Sequence, residues 1–204
     1  MIDRGSIRAA VDDVVAAALL DEGWDAALTR FAHAAGARDA VLMRNTRHAT
    51  VVGVATEEAA DTVAAFIAGK APPNSRYDKV KANSGGFRID QDDYSDAELR
   101  RDPFYQEFLR PAGVFWHANA ILLFGPDEMI ELSLKRQATK SPYTRQNMAI
   151  LDSALPELRA AARVAKTSLD AEVRGMERLL RNRGDVIVRL DGGGRVLGGQ
   201  AALG

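Results

Sequence analysis

Apolar positions in the first 35 residues recur every three or four places, a period that predicts two helices. In the first, Ile7, Val11, Val14, Val15, Ala18 and Leu19 form one stripe, while Asp12, Asp13 and Asp21 fall off it. Gly23 interrupts the pattern. Trp24, Leu28, Phe31 and Ala35 then mark a second helix ending at Gly36, where a left-handed C-cap belongs. The period next shortens to two: Ala40–Met43 and Thr50–Val54 are short, β-branched-rich runs with His48 in their connection, and predict a hairpin. Thr56 is placed to cap a third helix with Glu57 and Glu58 in its first turn. Ala60, Val63, Ala64 and Ile67 are its expected buried stripe, and Gly69 its end.

Residues 71–114 have no sustained period. Pro72-Pro73-Asn74-Ser75 and Asn83-Ser84-Gly85-Gly86 are loop chemistry, and Phe87-Arg88-Ile89-Asp90 suits a short strand. Ser95 with Glu98 fits a capping box, and Asp102 before Pro103 fits an N-cap followed by a proline at the first helical position. A connection of this length is a lid or binding loop, or holds short elements of its own. Alternation then returns. From Phe115 to Phe124 one face reads Trp116, Ala118, Ala120, Leu122 and Phe124, and the other Phe115, His117, Asn119, Ile121 and Leu123. Met129 to Gln137 sets Ile130, Leu132 and Leu134 inward against Glu131, Ser133, Lys135 and Gln137, predicting an antiparallel hairpin with one packed and one largely wet face.

After Ser141-Pro142 the pattern is helical to about Arg183, with Pro156 predicting a kink or two helices that meet there. Leu151, Leu155, Leu158, Ala162, Ala165 and Leu169 step as a coiled-coil seam, which Val173, Met176 and Leu180 continue after a stutter. No later element is available to cover the distal part of this seam. A second copy of the helix would cover it, so the pattern predicts a parallel homodimer through Leu158, Ala162, Ala165, Leu169, Val173, Met176 and Leu180, with Ile7 and Val11 joining the bundle. Arg174, Arg178, Arg181 and Arg183 are either a phosphate contact or, the preferred reading, a solvated face that complements the helix C-terminus. Asp185 to Leu190, a turn over Asp191–Gly194, and Arg195 to Leu197 read as a terminal hairpin. The expected organisation is a domain over 1–140, an exit helix over 141–183 and a further start over 184–204.

Composition narrows the function classes. Lys plus Arg is 27 against 28 Asp plus Glu, so the chain lacks the field of a nucleic-acid or membrane coat. Its longest apolar run, Val14–Leu20, is far too short to span a bilayer, and no secretory signal opens the chain; a cytoplasmic protein is expected. With no cysteine and three histidines, neither a metal site nor a cofactor is expected. There is no nucleophile elbow, phosphate loop or metal-spaced histidine pair, and catalysis is not expected. His117 and Asn119 share a strand face. They are either the polar floor of a small-molecule pocket beneath residues 71–114 or the wet end of a strand. Phe87, Tyr94, Phe104, Tyr105 and Phe108 either line that pocket or form a satellite core for the irregular segment, and Trp116 reads as core packing.

The order of these elements resembles a GAF-like sensor domain, an α+β fold with an antiparallel sheet flanked by helices. "DPFYQEFLRPAG" at 102–113 with "VFWHANAILLF" at 114–124, and "SPYTRQNMAILDSALPELRAAARV" at 141–164, resemble the N-terminal region and exit helix of bacterial LuxR-type helix-turn-helix regulators. "GDVIVRLDGGGRVLGGQAA" at 184–202 is similar to the opening of a PAS-like domain, although Gly198-Gly199-Gln200 replaces the usual Asn-containing step. The resemblance implies a dimerising sensory module that relays a small-molecule signal. It implies DNA contact only through a helix-turn-helix domain that these 204 residues do not contain. The spaced Trp, Tyr and Asp pattern of acyl-homoserine-lactone binding is missing, so that ligand is not implied. The alternative is a ligand-free dimerisation scaffold whose pocket is filled by side chains.

Overall fold

The structure is a computed structural model that describes residues 2–46, 50–76, 79, 85–126, 128–183, 188–190 and 196–199. It is an α+β fold whose five-stranded antiparallel sheet has the order β2-β1-β5-β4-β3. The strands are β1 (Asp39–Thr46), β2 (Thr50–Ala55), β3 (Arg88–Ile89), β4 (Trp116–Phe124) and β5 (Glu128–Arg136). Both predicted hairpins are present. A separate pair, β6 (Val188–Leu190) and β7 (Val196–Gly199), is antiparallel as the terminal pattern suggests; its turn lies outside the described residues, as does His48.

One face of the sheet carries the main core. Ala40, Ala118, Ala120, Leu122, Leu132 and Leu134 pack against α1 (Arg4–Leu20), α2 (Trp24–Ala34) and α7 (Leu155–Asn182). Alanines on the strands let these helices lie close. Each large side chain buried there contributes roughly 1.5–3 kcal/mol. Asp3 caps α1 by accepting from the Ser6 N–H at 2.9 Å. At the end of α2, Gly36 is left-handed (φ +63°), and the Arg136 guanidinium donates to the carbonyls of Gly36 (3.0 Å) and Ala35 (3.2 Å). A Cβ at Gly36 would stand 2.8 Å from that guanidinium, so both conformation and space require glycine.

The exit segment is two helices, α6 (Arg145–Asp152) and α7, and Pro156 sits in the first turn of α7, where its missing N–H costs nothing. Ile7, Val11, Leu158 and Ala162 are buried in the chain's own core, because α1 packs on the first half of α7. That corrects the expectation that they face a second copy; Ala165 is partly buried against the same core. Beyond it, Leu169, Val173, Met176 and Leu179 are 47%, 44%, 66% and 64% exposed, while Leu180 is half-buried.

Three local expectations change. Thr56 does not cap a helix: its hydroxyl accepts from the Ala40 N–H at 3.2 Å, serving β1 instead. The third helix, α3 (Ala60–Ile67), turns Phe66 inward toward Phe104 and Phe108, which leaves Ile67 exposed and Ala60 and Ala64 outside any buried stripe. Leu19 is likewise exposed, two residues before the left-handed cap at Asp21.

Candidate functional site

The second face of the sheet is polar, and it is not wet. Glu131, Ser133 and Lys135 on β5 and His117 and Asn119 on β4 are all buried, because the described segments between Thr56 and Val114 fold back over them. A polar strand face covered by a lid alternates like a solvated one, which is why the sequence predicts water there. The lid contains α3, α4 (Asp90–Asp93), α5 (Asp96–Leu99) and a π-helical turn over Phe104–Leu109. The Ser95–Glu98 capping box forms, and Asp102 Oδ1 accepts from the Phe104 N–H at 2.8 Å, both as expected. The helix that follows Pro103 is wider than the α-helix expected, with Arg110 N–H reaching Tyr105 O at 2.9 Å; such turns concentrate at functional sites.

Leu99, Phe104, Tyr105, Leu109 and Val114 form the lid's satellite core, with Phe66, Tyr94 and Phe108 against it. Phe104 and Tyr105 therefore serve as lid packing, while Phe104 also lines the cavity beneath. Tyr94 sits at the lid's edge, its hydroxyl 2.9 Å from Ser75 Oγ. Phe87 is elsewhere: it is buried in the main core, its N–H donating to Asp152 at 2.6 Å, so it is no pocket residue. Trp116 is half-exposed rather than core, and its indole N–H donates to Lys140 O at 2.8 Å.

Floor and lid are joined by two polar chains. In the first, Ser133 Oγ and His117 Nε2 share a hydrogen bond of 2.8 Å, His117 Nδ1 lies 3.5 Å from Asp90 Oδ1, and Tyr105 donates to that same oxygen at 2.5 Å. Burial, reinforced by the positive charge of Arg76, pushes His117 down to about 4, so the ring is neutral at pH 7. In the second, Lys135 Nζ donates to Asp39 Oδ1 at 2.9 Å, and Arg38 donates to Asp39 Oδ2 at 2.7 Å and to the lid carbonyl of Ala112 at 2.8 Å. Gly113 follows with φ +79°, and a Cβ there would come within 3.0 Å of Arg38. Burial lowers Lys135, opposed by Asp39; burial raises Glu131, opposed first by the charge of Arg76 and then by hydrogen bonds that include one from Asn119.

Between floor and lid is a cavity of about 40 Å³, apolar at Met43, Val63, Phe66, Phe104 and Phe108, and polar at Arg76, Ser133 and Lys135. That is room for about three water molecules. Arg76 is only 8% exposed, and its Nη1 has no protein partner; the buried Asp90 Oδ2 has none either. A wider groove of about 350 Å³ separates α1 from the α6–α7 junction, but its charged rim, Arg4, Arg8, Asp12 and Glu157, is solvated.

Of the predicted ligand residues, His117, Asn119 and Tyr105 belong to the polar floor or its linkage to the lid, and Phe104 lines the cavity. Sequence reasoning missed Arg76, Lys135, Asp39, Asp90, Glu131 and Ser133. Arg76 stands alone in an aperiodic loop and gives no signal. Ser133 and Lys135 were visible only as the polar half of a strand. Among the described residues no cluster of His, Asp or Glu is placed to hold a metal ion.

Three solved structures share this fold. The LBD domain of VqsR from Pseudomonas aeruginosa matches at TM-score 0.60 and 13% identity, over 80% of this chain and 98% of that one. CepR2 from Burkholderia cenocepacia, an N-acylhomoserine lactone dependent LuxR family transcription factor, matches at TM-score 0.54 and 15% identity, over 80% and 98%. SdiA of Escherichia coli matches at 0.53 and 11%, over 78% and 68%. Identities this low establish a common fold. No family model and no curated protein matches the sequence.

Proposed function

We propose that the chain is a ligand-sensing regulatory domain of a transcription regulator, taking a small molecule between the polar sheet face and the lid. The observation that carries this reading is the polar part of the cavity: Arg76, whose buried guanidinium has a nitrogen without a partner among the described residues, lines it with Ser133 and Lys135, and the rest is mostly aromatic and aliphatic side chains. Buried polar groups left unpaired are costly, and a pocket with few orienting polar groups is the usual form of a ligand site. The shared fold with the VqsR LBD domain and with CepR2 supports the same reading. A ligand larger than a few waters enters by shifting the π-helical turn, whose far end is held to the floor through Arg38.

The signal leaves through α7. Arg159 on that helix donates to the carbonyl of Ile121 at 3.2 Å, tying it to β4. Lys166 bonds Glu128 at 2.9 Å, and past it about 25 Å of helix carries the exposed Leu169–Leu179 stripe. We assign this part of α7 to a second copy of the chain in parallel, since Leu169, Val173, Met176 and Leu180 keep the heptad spacing of a self-pairing seam, with the exposed Leu179 beside them. Change in the crossing of the paired helices would relay occupancy.

Catalysis is not part of this proposal. Ser133, His117 and Asp90 stand in the order of a nucleophilic triad, but Ser133 lies mid-strand between Val41 and Asn119, with its backbone paired in the sheet rather than on an exposed strand-to-helix turn. The second reading, a scaffold with a side-chain-filled pocket, is favoured by the small cavity. A thermal-shift screen of metabolites separates the two. A stabilising ligand, worth about 2.7 kcal/mol at a hundredfold excess over its Kd, supports sensing; silence across a broad library selects the scaffold.

A further inference from the structure

Arg76 is a permanent cation buried in the cavity wall. Its Nε donates to the Asn74 side chain at 3.2 Å, and its guanidinium lies over the rings of Phe104 and Tyr105, 5.0 and 5.9 Å from their centroids. Among the described residues it forms no ion pair. Of the neighbouring acids, Asp39 bonds Arg38 and Lys135, and Asp90 Oδ1 bonds Tyr105 and His117. Glu131 is near enough for the charge of Arg76 to oppose the rise in its pKa, but makes no hydrogen bond or ion pair with it among the described residues. A charge taken out of water normally has a partner of opposite sign. Here the uncommitted nitrogen belongs to a residue lining the cavity, whose lining also includes Val63, Phe66 and Phe108.

We propose that the ligand is a small carboxylic acid, its carboxylate seated on Arg76 and its apolar body against Phe66 and Phe108. This rests on the sensing reading and adds the chemical class. A guanidinium fork matches two carboxylate oxygens, an ester or an alcohol offers it less, and an amine is repelled by Arg76 and Lys135 together. The aromatic rings over the guanidinium plane leave its edge as the docking direction.

The test is calorimetric titration at pH 7.5 of straight-chain alkanoates of four to ten carbons and of phenylalkanoates, each beside its methyl ester. The proteins are the wild type, Arg76→Met, which keeps the apolar stem, and Arg76→Lys, which keeps charge without the fork. Circular dichroism and melting establish that each variant folds, and should Arg76→Met fail to fold, Arg76→Lys carries the comparison. The expected result is an acid bound at least tenfold tighter than its ester by the wild type, the size of one charge-assisted hydrogen bond. In Arg76→Met that preference falls to within twofold, and in Arg76→Lys it falls at least fivefold. Equal binding of acid and ester, or an acid preference that survives in the folded variants, overturns the carboxylate assignment while leaving sensing in place. Failure of every acid to bind also overturns it, and a metabolite screen that is silent as well removes the sensing reading too.

Discussion

Asp39→Asn removes the anion from between Arg38 and Lys135 while keeping the side chain's shape. Asp39 is fully buried, and Lys135 nearly so, with no other ion-pair partner among the described residues. Breaking one side of a buried pair costs about 3–5 kcal/mol. An independent bound comes from Lys135 itself, which escapes the penalty by losing its proton. From an ordinary lysine pKa to pH 7 is about 3.5 units, or about 5 kcal/mol. The two figures agree, and the second makes the loss pH-dependent: at pH 9.5 giving up the proton costs only about 1.5 kcal/mol. Urea unfolding at both pH values should therefore show a loss of about 3–5 kcal/mol at pH 7 that shrinks by at least half at pH 9.5. Asp39→Asn combined with Lys135→Met should recover most of the stability. A loss below 1 kcal/mol at pH 7, or one equally large at pH 9.5, would refute the idea that Asp39 holds a buried charge in place.

Further outcomes follow from the same geometry. Because His117 is held neutral down to about pH 4, the unfolded chain takes up the proton first as pH falls below about 6.5, and stability drops across that window. His117→Asn should lose about 2 kcal/mol less than wild type between pH 7 and pH 5; Glu131, whose raised pKa works in the opposite direction, is common to both proteins and cancels. A fluorophosphonate probe should leave Ser133 unlabelled, and stoichiometric labelling would make the Ser133–His117–Asp90 chain a catalytic one. Light scattering should report a dimer, with Leu169→Glu plus Met176→Glu giving a folded monomer; a monomeric wild type would remove the relay through α7.

Periodicity made the scaffold readable and the site only half so. The α1 and β4–β5 patterns survive in the structure because burial on one face imposes period 3.6 or 2 regardless of what covers the other. The same argument misassigned Glu131, Ser133 and Lys135, since a strand does not record whether its polar face meets water or a lid. Leu158 and Leu169 lie on one unbroken seam, yet the first is in the chain's own core and the second is exposed. Where α1 stops covering α7 is set by tertiary packing, and nothing in the heptad marks it. His117 and Asn119 were found because polar residues interrupt an apolar strand, whereas Arg76 became visible only once Phe104 and Tyr105 were folded over it.

We infer that α3, the π-helical turn and the other described parts of the lid close over a ligand pocket on the polar face of the sheet. A crystal structure of the chain with the first metabolite that raises its melting temperature tests it most directly. The account predicts that molecule between the π-helical turn and β5, against Arg76, with Phe104 or Phe108 displaced to admit it. A ligand bound in the α1–α7 groove, with the floor and lid packed as they are without it, would contradict it.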